Sequence, residues 1–346
     1  MGRAGWGGNG EIRLDSGFLL DFFGRIHYNS VMLGVLGSRG GDCRVAPYGR
    51  LFGLLAMTRH TKPSVTDLVV CRAINRTYGK RMRTIAMINQ KGGCGKTTTA
   101  INTAAAFASL GYRTLLVDLD PQGHACMGLG IDPDKLTPTV YDALTDPKLP
   151  LIDAVINTKV EWLDLAPCNV LLAGAELELA GAVGKELILA SKLRMLRERY
   201  KVCIIDSPPA LGILTLNALV ASTDVVVPVQ VHYFALEGLK RLLETVHIIR
   251  NRFHPCSSEV LGLLLTFVED GTIFSRQVQE KMRAYFGQLV FETVIHKTIR
   301  LAEAPSAGEP ILTYAPESRG AADYMSLVRE ILTDPVWAEE VGNVQV

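Results

Sequence analysis

Between the apolar run at 84–89 and the alanine-rich run from Ala100 to Leu110 stands Gln90-Lys-Gly-Gly-Cys-Gly-Lys-Thr-Thr-Thr99. Glycine is needed where φ is positive or where a side chain would collide with a ligand. A glycine-rich turn that leaves a strand and opens a helix points successive backbone N–H groups at one centre, which suits a polyphosphate. The helix start adds a positive field of about half a charge. The predicted cradle is Lys91, Gly92, Gly93, Cys94, Gly95, Lys96, Thr97 and Thr98. Lys96 is placed to neutralise β/γ oxygens and the Thr97 hydroxyl to ligate Mg²⁺. The usual G-x-x-x-x-G-K-[ST] spacing is not met, because position 90 is Gln, and a second lysine, Lys91, stands five residues before Lys96. A lysine there can project away from its own phosphates toward a second subunit.

The next apolar run, Arg113-Thr-Leu-Leu-Val-Asp-Leu-Asp-Pro-Gln122, ends in two carboxylates, Asp118 and Asp120. An extended chain places both on one face. Like charges so close need a cation or a hydrogen-bond network. Val202-Cys-Ile-Ile-Asp206 is a third apolar run ending in an acid, the arrangement that holds a magnesium shell in nucleotide-hydrolysing proteins.

From Met82 to about residue 332, strands and amphipathic helices alternate. Strands are predicted at 84–89, 113–118, 161–166, 201–206, 224–230, 259–267 and 289–295. Helices are predicted at 96–110, 139–145, 185–199, 213–221, 236–252, 274–286 and 320–332. Several strands are continuous apolar runs, as expected when both faces are covered. The predicted fold is therefore α/β, a doubly wound and mainly parallel sheet flanked by helices. Right-handed crossovers bring the strand carboxyl ends to one edge, where ligands bind.

These motifs resemble those of the ParA/Soj/MinD ATPases. Lys91-Gly-Gly-Cys-Gly-Lys-Thr is similar to that family's deviant Walker A P-loop, Asp118-Leu-Asp-Pro-Gln-Gly to its switch motif, and Ile204-Ile-Asp-Ser-Pro-Pro to its Walker B segment. The resemblance covers about 83–332. It implies ATP and Mg²⁺ as ligands and a homodimer closed around two nucleotides, with Lys91 reaching the partner's ATP. It implies that Asp120 orients the attacking water and that Asp118 assists at the metal through water. Gln122 and Gly123 would belong to the moving switch segment. Leu165-Ala-Pro-Cys-Asn-Val-Leu-Leu-Ala-Gly-Ala-Glu176 resembles the segment carrying dimer contacts. Arg300-Leu-Ala-Glu-Ala-Pro-Ser306 resembles the loop beside the adenine, with Lys297 and Thr298 just before it as nucleotide contacts.

The implied function is a cytoplasmic, nucleoid-associated ATPase of chromosome or plasmid partitioning. It would bind DNA without sequence preference as the ATP dimer and answer to a ParB-like centromere-binding partner. The alternative is a relative that positions another cargo, in polysaccharide or cellulose secretion or in conjugation, without binding DNA. With 36 Lys+Arg against 35 Asp+Glu, DNA contact must come from a local patch. The candidates are Arg250, Arg252, Arg276, Lys281 and Arg300. Where the family commonly reads D-G-R-T-N, this chain has Glu269-Asp-Gly-Thr-Ile273 and lacks the arginine. Where it reads P-R-N-V-R, this chain has His296-Lys-Thr-Ile-Arg300.

Residues 1–81 differ in kind, with 12 Lys+Arg, 5 Asp+Glu and 14 of the 32 glycines, and no sustained helical or strand period. They read as a basic, poorly structured extension: a nucleic-acid-touching arm, a small domain, or upstream sequence included by a misplaced start codon, the last being favoured. Residues 333–346 read as an acidic tail broken by Pro335, unlike a basic membrane-binding helix, so no membrane contact is expected. Seven cysteines without a CxxC pattern read as reduced thiols.

Overall fold

In the computed structural model the described residues are 82–231, 235–253, 258–334 and 337. All belong to the unit Ala73–Val346. The basic extension at 1–81 and most of the acidic tail lie outside them.

Seven strands form one sheet in the order β3-β4-β2-β5-β1-β6-β7. They are β1 (Arg83–Met87), β2 (Thr114–Asp118), β3 (Ile156–Asn157), β4 (Leu163–Ala166), β5 (Val202–Asp206), β6 (Asp224–Gln230) and β7 (Glu259–Thr266). Every pairing is parallel except β3 with β4. The expected doubly wound, mainly parallel sheet is the fold observed.

Alternate residues along each strand enter two different cores. Ile85, Met87, Leu116, Val202, Ile204, Val226 and Leu264 face one side. Ala86, Leu115, Val117, Cys203, Ile205, Val225, Val227 and Leu265 face the other. Both faces are dry, which explains strands without polar alternation. The first face is covered by α1 (Lys96–Ser109), whose buried Ala100, Ala104, Ala105 and Ala108 let the helix lie close to the sheet. Tyr324, Leu327, Val328 and Ile331 join it from a C-terminal helix, Arg319–Thr333. The second face is covered by α3 (Val140–Thr145), α5 (Ile188–Arg194), α6 (Ile213–Ala221) and α7 (Ala235–Arg252).

The remaining helices are α2 (His124–Gly128), α4 (Leu172–Glu178), α8 (Ile273–Phe286), α9 (Ile299–Ala307), α10 (Ile311–Tyr314) and α11, the C-terminal helix already described. Of these, α2, α4, α9 and α10 were not predicted: each is nine residues or shorter, too brief for a clear 3.6-residue period.

The predicted strand at 289–295 does not form. Only isolated bridges join Val290 to Leu263 and His296 to Val268. Between them the Glu292 and Thr293 N–H groups donate to the Glu330 carboxylate on α11, at 2.7 and 2.8 Å. The Phe291 and Ile295 N–H groups still donate to the Leu263 and Leu265 carbonyls, at 3.1 and 2.8 Å, but the donor between them, Thr293, has gone to a side chain and the ladder is broken there. The predicted helix at 185–199 shortens to Ile188–Arg194. Asn217 accepts from Leu189 N–H at 3.0 Å and donates to the Lys185 carbonyl at 2.9 Å, setting where that helix starts.

Candidate nucleotide site

The parallel register gathers the acidic chemistry. Met87 pairs with Asp206, and Asp206 with Asp118, so β1, β5 and β2 end on one line. The glycine-rich loop leaves β1 at that line and α1 begins at Lys96. Gly93 and Gly95 have φ of 71° and 86°, a region unfavourable to other residues. A Cβ on Gly92 or Gly93 would meet nothing within 4 Å, so the inner surface of the turn is open.

Residues outside the motif hold this loop. Asn89 donates to the Pro228 carbonyl at 2.7 Å and accepts from Lys91 N–H at 3.0 Å. Thr266 donates to the Cys94 carbonyl at 2.9 Å. Ser207 donates to the Met87 carbonyl at 2.6 Å, tying β5 to β1 below the loop. No motif signals Pro228 or Thr266 as partners, because β6 and β7 reach the loop only in the folded sheet. Cys94 is buried, and desolvation pushes its thiol up against the opposing influence of Lys96.

Lys96 is buried and its Nζ donates to the Lys91 carbonyl at 3.2 Å. Thr97 and Thr98 follow it on the first turn of α1 and are half-buried. The exposed Lys91 places its Nζ 3.2 Å from Gln230 Oε1 of its own chain.

Asp118 is fully buried. It accepts from the Asp120 N–H at 3.1 Å, the Cys126 N–H at 3.2 Å and the Cys126 thiol at 3.3 Å. Burial pushes its carboxyl well above the usual range. Asp120 lies at the surface edge, 9% exposed, and one oxygen accepts from the Gln122 N–H at 3.1 Å. Gly123, at φ 63°, then turns the chain into α2.

Asp206 is fully buried and neither of its oxygens has a hydrogen-bond partner. Burial first, and the Asp118 charge second, raise its carboxyl well above the usual range. The Thr97 hydroxyl and Lys96 pull the other way, though Thr97 stops short of hydrogen-bonding geometry. A buried carboxyl left without donors is costly unless a cation completes it. Hard oxygen donors from Asp206 and Thr97, with Asp118 close by, fit a partly hydrated Mg²⁺.

A cleft of about 190 Å³ opens beside the loop, lined by Gln230, Phe267, Glu269, Phe274 and Lys297 among others. The Phe267 ring lies 3.5 Å from where a Gly95 Cβ would stand. Lys297 lines this cleft, and its Nζ pairs with Glu269 at 2.6 Å. Thr298 caps α9, accepting from the Leu301 N–H at 3.2 Å.

The predicted DNA-contacting cations lie on three helices. Arg250 and Arg252 end α7, Arg276 and Lys281 are on α8, and Arg300 opens α9. Arg250 pairs with Glu259 at 2.9 Å and Arg300 with Glu303 at 3.0 Å. Arg252, Arg276 and Lys281 are exposed.

A family model described as an AAA domain matches residues 82–257, just over half of the chain. The chain is 47% identical over 247 residues to the sporulation initiation inhibitor protein Soj of Bacillus subtilis, covering 71% of this chain and 97% of Soj. It belongs to the ParA/Soj family of ATPases. The chromosome partitioning protein ParA of Myxococcus xanthus is 44% identical over 250 residues, or 72% of this chain and 88% of that one. Among solved structures, one named cobyrinic acid a,c-diamide synthase, from Mycobacterium smegmatis with bound ADP and magnesium, superposes with a TM-score of 0.63. It is 36% identical and covers 72% of this chain and 93% of its own. The span 82–257 that the family model matches contains the glycine-rich loop, Asp118, Asp120 and Asp206. Among the described residues, no helix is long and apolar enough to cross a membrane.

Proposed function

We propose that this chain is a switch ATPase of chromosome or plasmid partitioning. It binds Mg²⁺–ATP, closes into a homodimer around two nucleotides, and hydrolyses ATP to ADP and phosphate. The observation that carries the reading is Asp206: a buried carboxyl with no donor, one strand from Asp118 and facing the start of a glycine-rich phosphate loop.

Mg²⁺, when bound, offsets charge on the phosphate oxygens as a Lewis acid. Thr97 and Asp206 hold it, with Asp118 acting through water. The loop N–H groups and Lys96 bind and orient the phosphates. Lys91 turns from Gln230 to the partner's nucleotide, and this exposed contact is weak enough to exchange. Asp120, at the mouth of the site, positions the attacking water. The basal rate is slow, because a switch must outlast its signal. A ParB-like partner accelerates it, and ATP shifts the population between monomer and dimer. Residues 82–332 form the ATPase domain, so a chain starting at Met82 folds and hydrolyses ATP as the full chain does.

As the ATP dimer the protein binds DNA without sequence preference through Arg250, Arg252, Arg276, Lys281 and Arg300, the pairs of Arg250 and Arg300 opening to do so. Those two ion pairs also favour a second reading, in which the same switch positions another cargo without touching DNA. Light scattering on Asp120→Ala, apo and with ATP, tests the switch: ATP-dependent doubling of mass supports it, and a persistent monomer sinks it. A DNA mobility shift at low salt, with and without ATP, separates the cargo readings. No ATP-dependent shift removes the partitioning one.

A further inference from the structure

Beneath the segment that follows β2 lies a cluster whose two cysteines the nucleotide reading does not use. Asp118 ends β2, Cys126 is the third residue of α2, and Cys168 lies two residues past β4. One carboxylate oxygen and two sulfurs, all fully buried, lie within 4.8 Å of one another. The Cys126 thiol donates to Asp118 at 3.3 Å and approaches the Cys168 carbonyl at 3.7 Å. The Cys168 thiol donates to the Asp120 carbonyl at 2.8 Å. The other buried cysteines, Cys94 and Cys203, stand outside this cluster.

We propose that Cys126, Cys168 and Asp118 form a binding site for a thiophilic divalent cation of the zinc class. Three donors from separate chain segments at this spacing suit a tetrahedral ion with one further ligand. Two sulfurs select a soft or borderline metal and reject Mg²⁺, so the site differs from the magnesium shell in its donors although the two share Asp118. On binding, each thiol gives up its proton, and two protons are released per ion. The Cys168 donor to the Asp120 carbonyl is then lost, and Asp118 is drawn to the metal. If the nucleotide reading holds, the loaded protein has its switch segment pinned from below, and ATP turnover falls. Because all three groups are buried, loading requires α2 to lift and is slow.

The test uses the full chain titrated with Cd²⁺, whose thiolate complexes absorb in the ultraviolet, with Zn²⁺ as competitor. The expected result is a charge-transfer band that includes one equivalent per chain lost in both Cys126→Ser and Cys168→Ser and kept in Cys94→Ser and Cys203→Ser. An unchanged band in Cys126→Ser, or no band in the wild type, overturns the proposal. X-ray absorption on the Zn²⁺-loaded wild type needs no variant. Two sulfur ligands at about 2.3 Å support the site, and a shell without sulfur refutes it. Turnover is read separately: Zn²⁺ should slow the wild type roughly tenfold more than Cys126→Ser. If neither protein hydrolyses ATP, the nucleotide reading fails while the spectra still decide the metal site.

Discussion

Asp118 and Asp206 are register partners on adjacent strands, both without solvent exposure, yet only Asp118 is hydrogen-bonded. Asp118 is held by the N–H groups of the turn that follows it. Asp206 has no such turn to serve it, so its carboxyl awaits something from outside the chain.

Asp206→Asn should therefore stabilise the nucleotide-free protein at pH 7, by about 1–2 kcal/mol, because it replaces a buried carboxyl that is costly to ionise and that no donor of the chain serves. It should also abolish the extra stabilisation that Mg²⁺ adds to nucleotide. Thermal melting, apo and with ADP with or without Mg²⁺, reads both effects. A variant that melts lower when apo and still responds to Mg²⁺ contradicts the assignment.

Asp224 carries the pH dependence. Burial pushes its carboxyl up to about 6, although Arg83 pairs with it at 2.5 Å. The folded value lies above the ordinary value of about 3.9. Its contribution is thus full below about pH 4 and is lost as pH rises through 6. Asp118 and Asp206 act in the same direction. Apo melting temperature should fall between about pH 4 and about pH 6. Asp224→Asn should flatten that fall in part and cost about 3–5 kcal/mol, since Arg83 is left buried without its anion.

The two loop lysines should separate cleanly. Lys96 is buried at the head of α1, whereas Lys91 is exposed with one hydrogen bond to Gln230. Lys96→Ala should weaken ADP binding by roughly 100-fold or more. Lys91→Ala should leave it within about threefold, because exposed contacts contribute little, while ATP turnover falls roughly 100-fold. Fluorescent-nucleotide titration and phosphate release distinguish the two. Equal loss of ADP affinity in both would end the idea that Lys91 serves a partner.

The segment containing α2 is clamped to α9 by two glycines. A Cβ on Gly308, at φ 68°, would stand 2.5 Å from the Gly130 Cα. Gly308→Ala should cost about 1–3 kcal/mol, since backbone rather than a flexible side chain must yield. Denaturant midpoints check this, and an unaltered midpoint would show that the two turns separate readily.

The parallel sheet was legible in the order of residues, and so were the glycine-rich turn after β1 and the acids that end β2 and β5. Continuous apolar strands ending in Asp118 and Asp206, and glycines before Lys96, are local patterns that only one kind of sheet edge can satisfy. Strand 289–295 misled because the Thr293 donor in its middle goes to Glu330. The residues that brace the site emerge from the folded chain alone. Asn89, Gln230 and Thr266 reach the loop, and Cys126 and Cys168 meet under Asp118, through contacts between segments distant in sequence. Such pairings follow from strand order and crossover path, and a linear pattern holds no record of either.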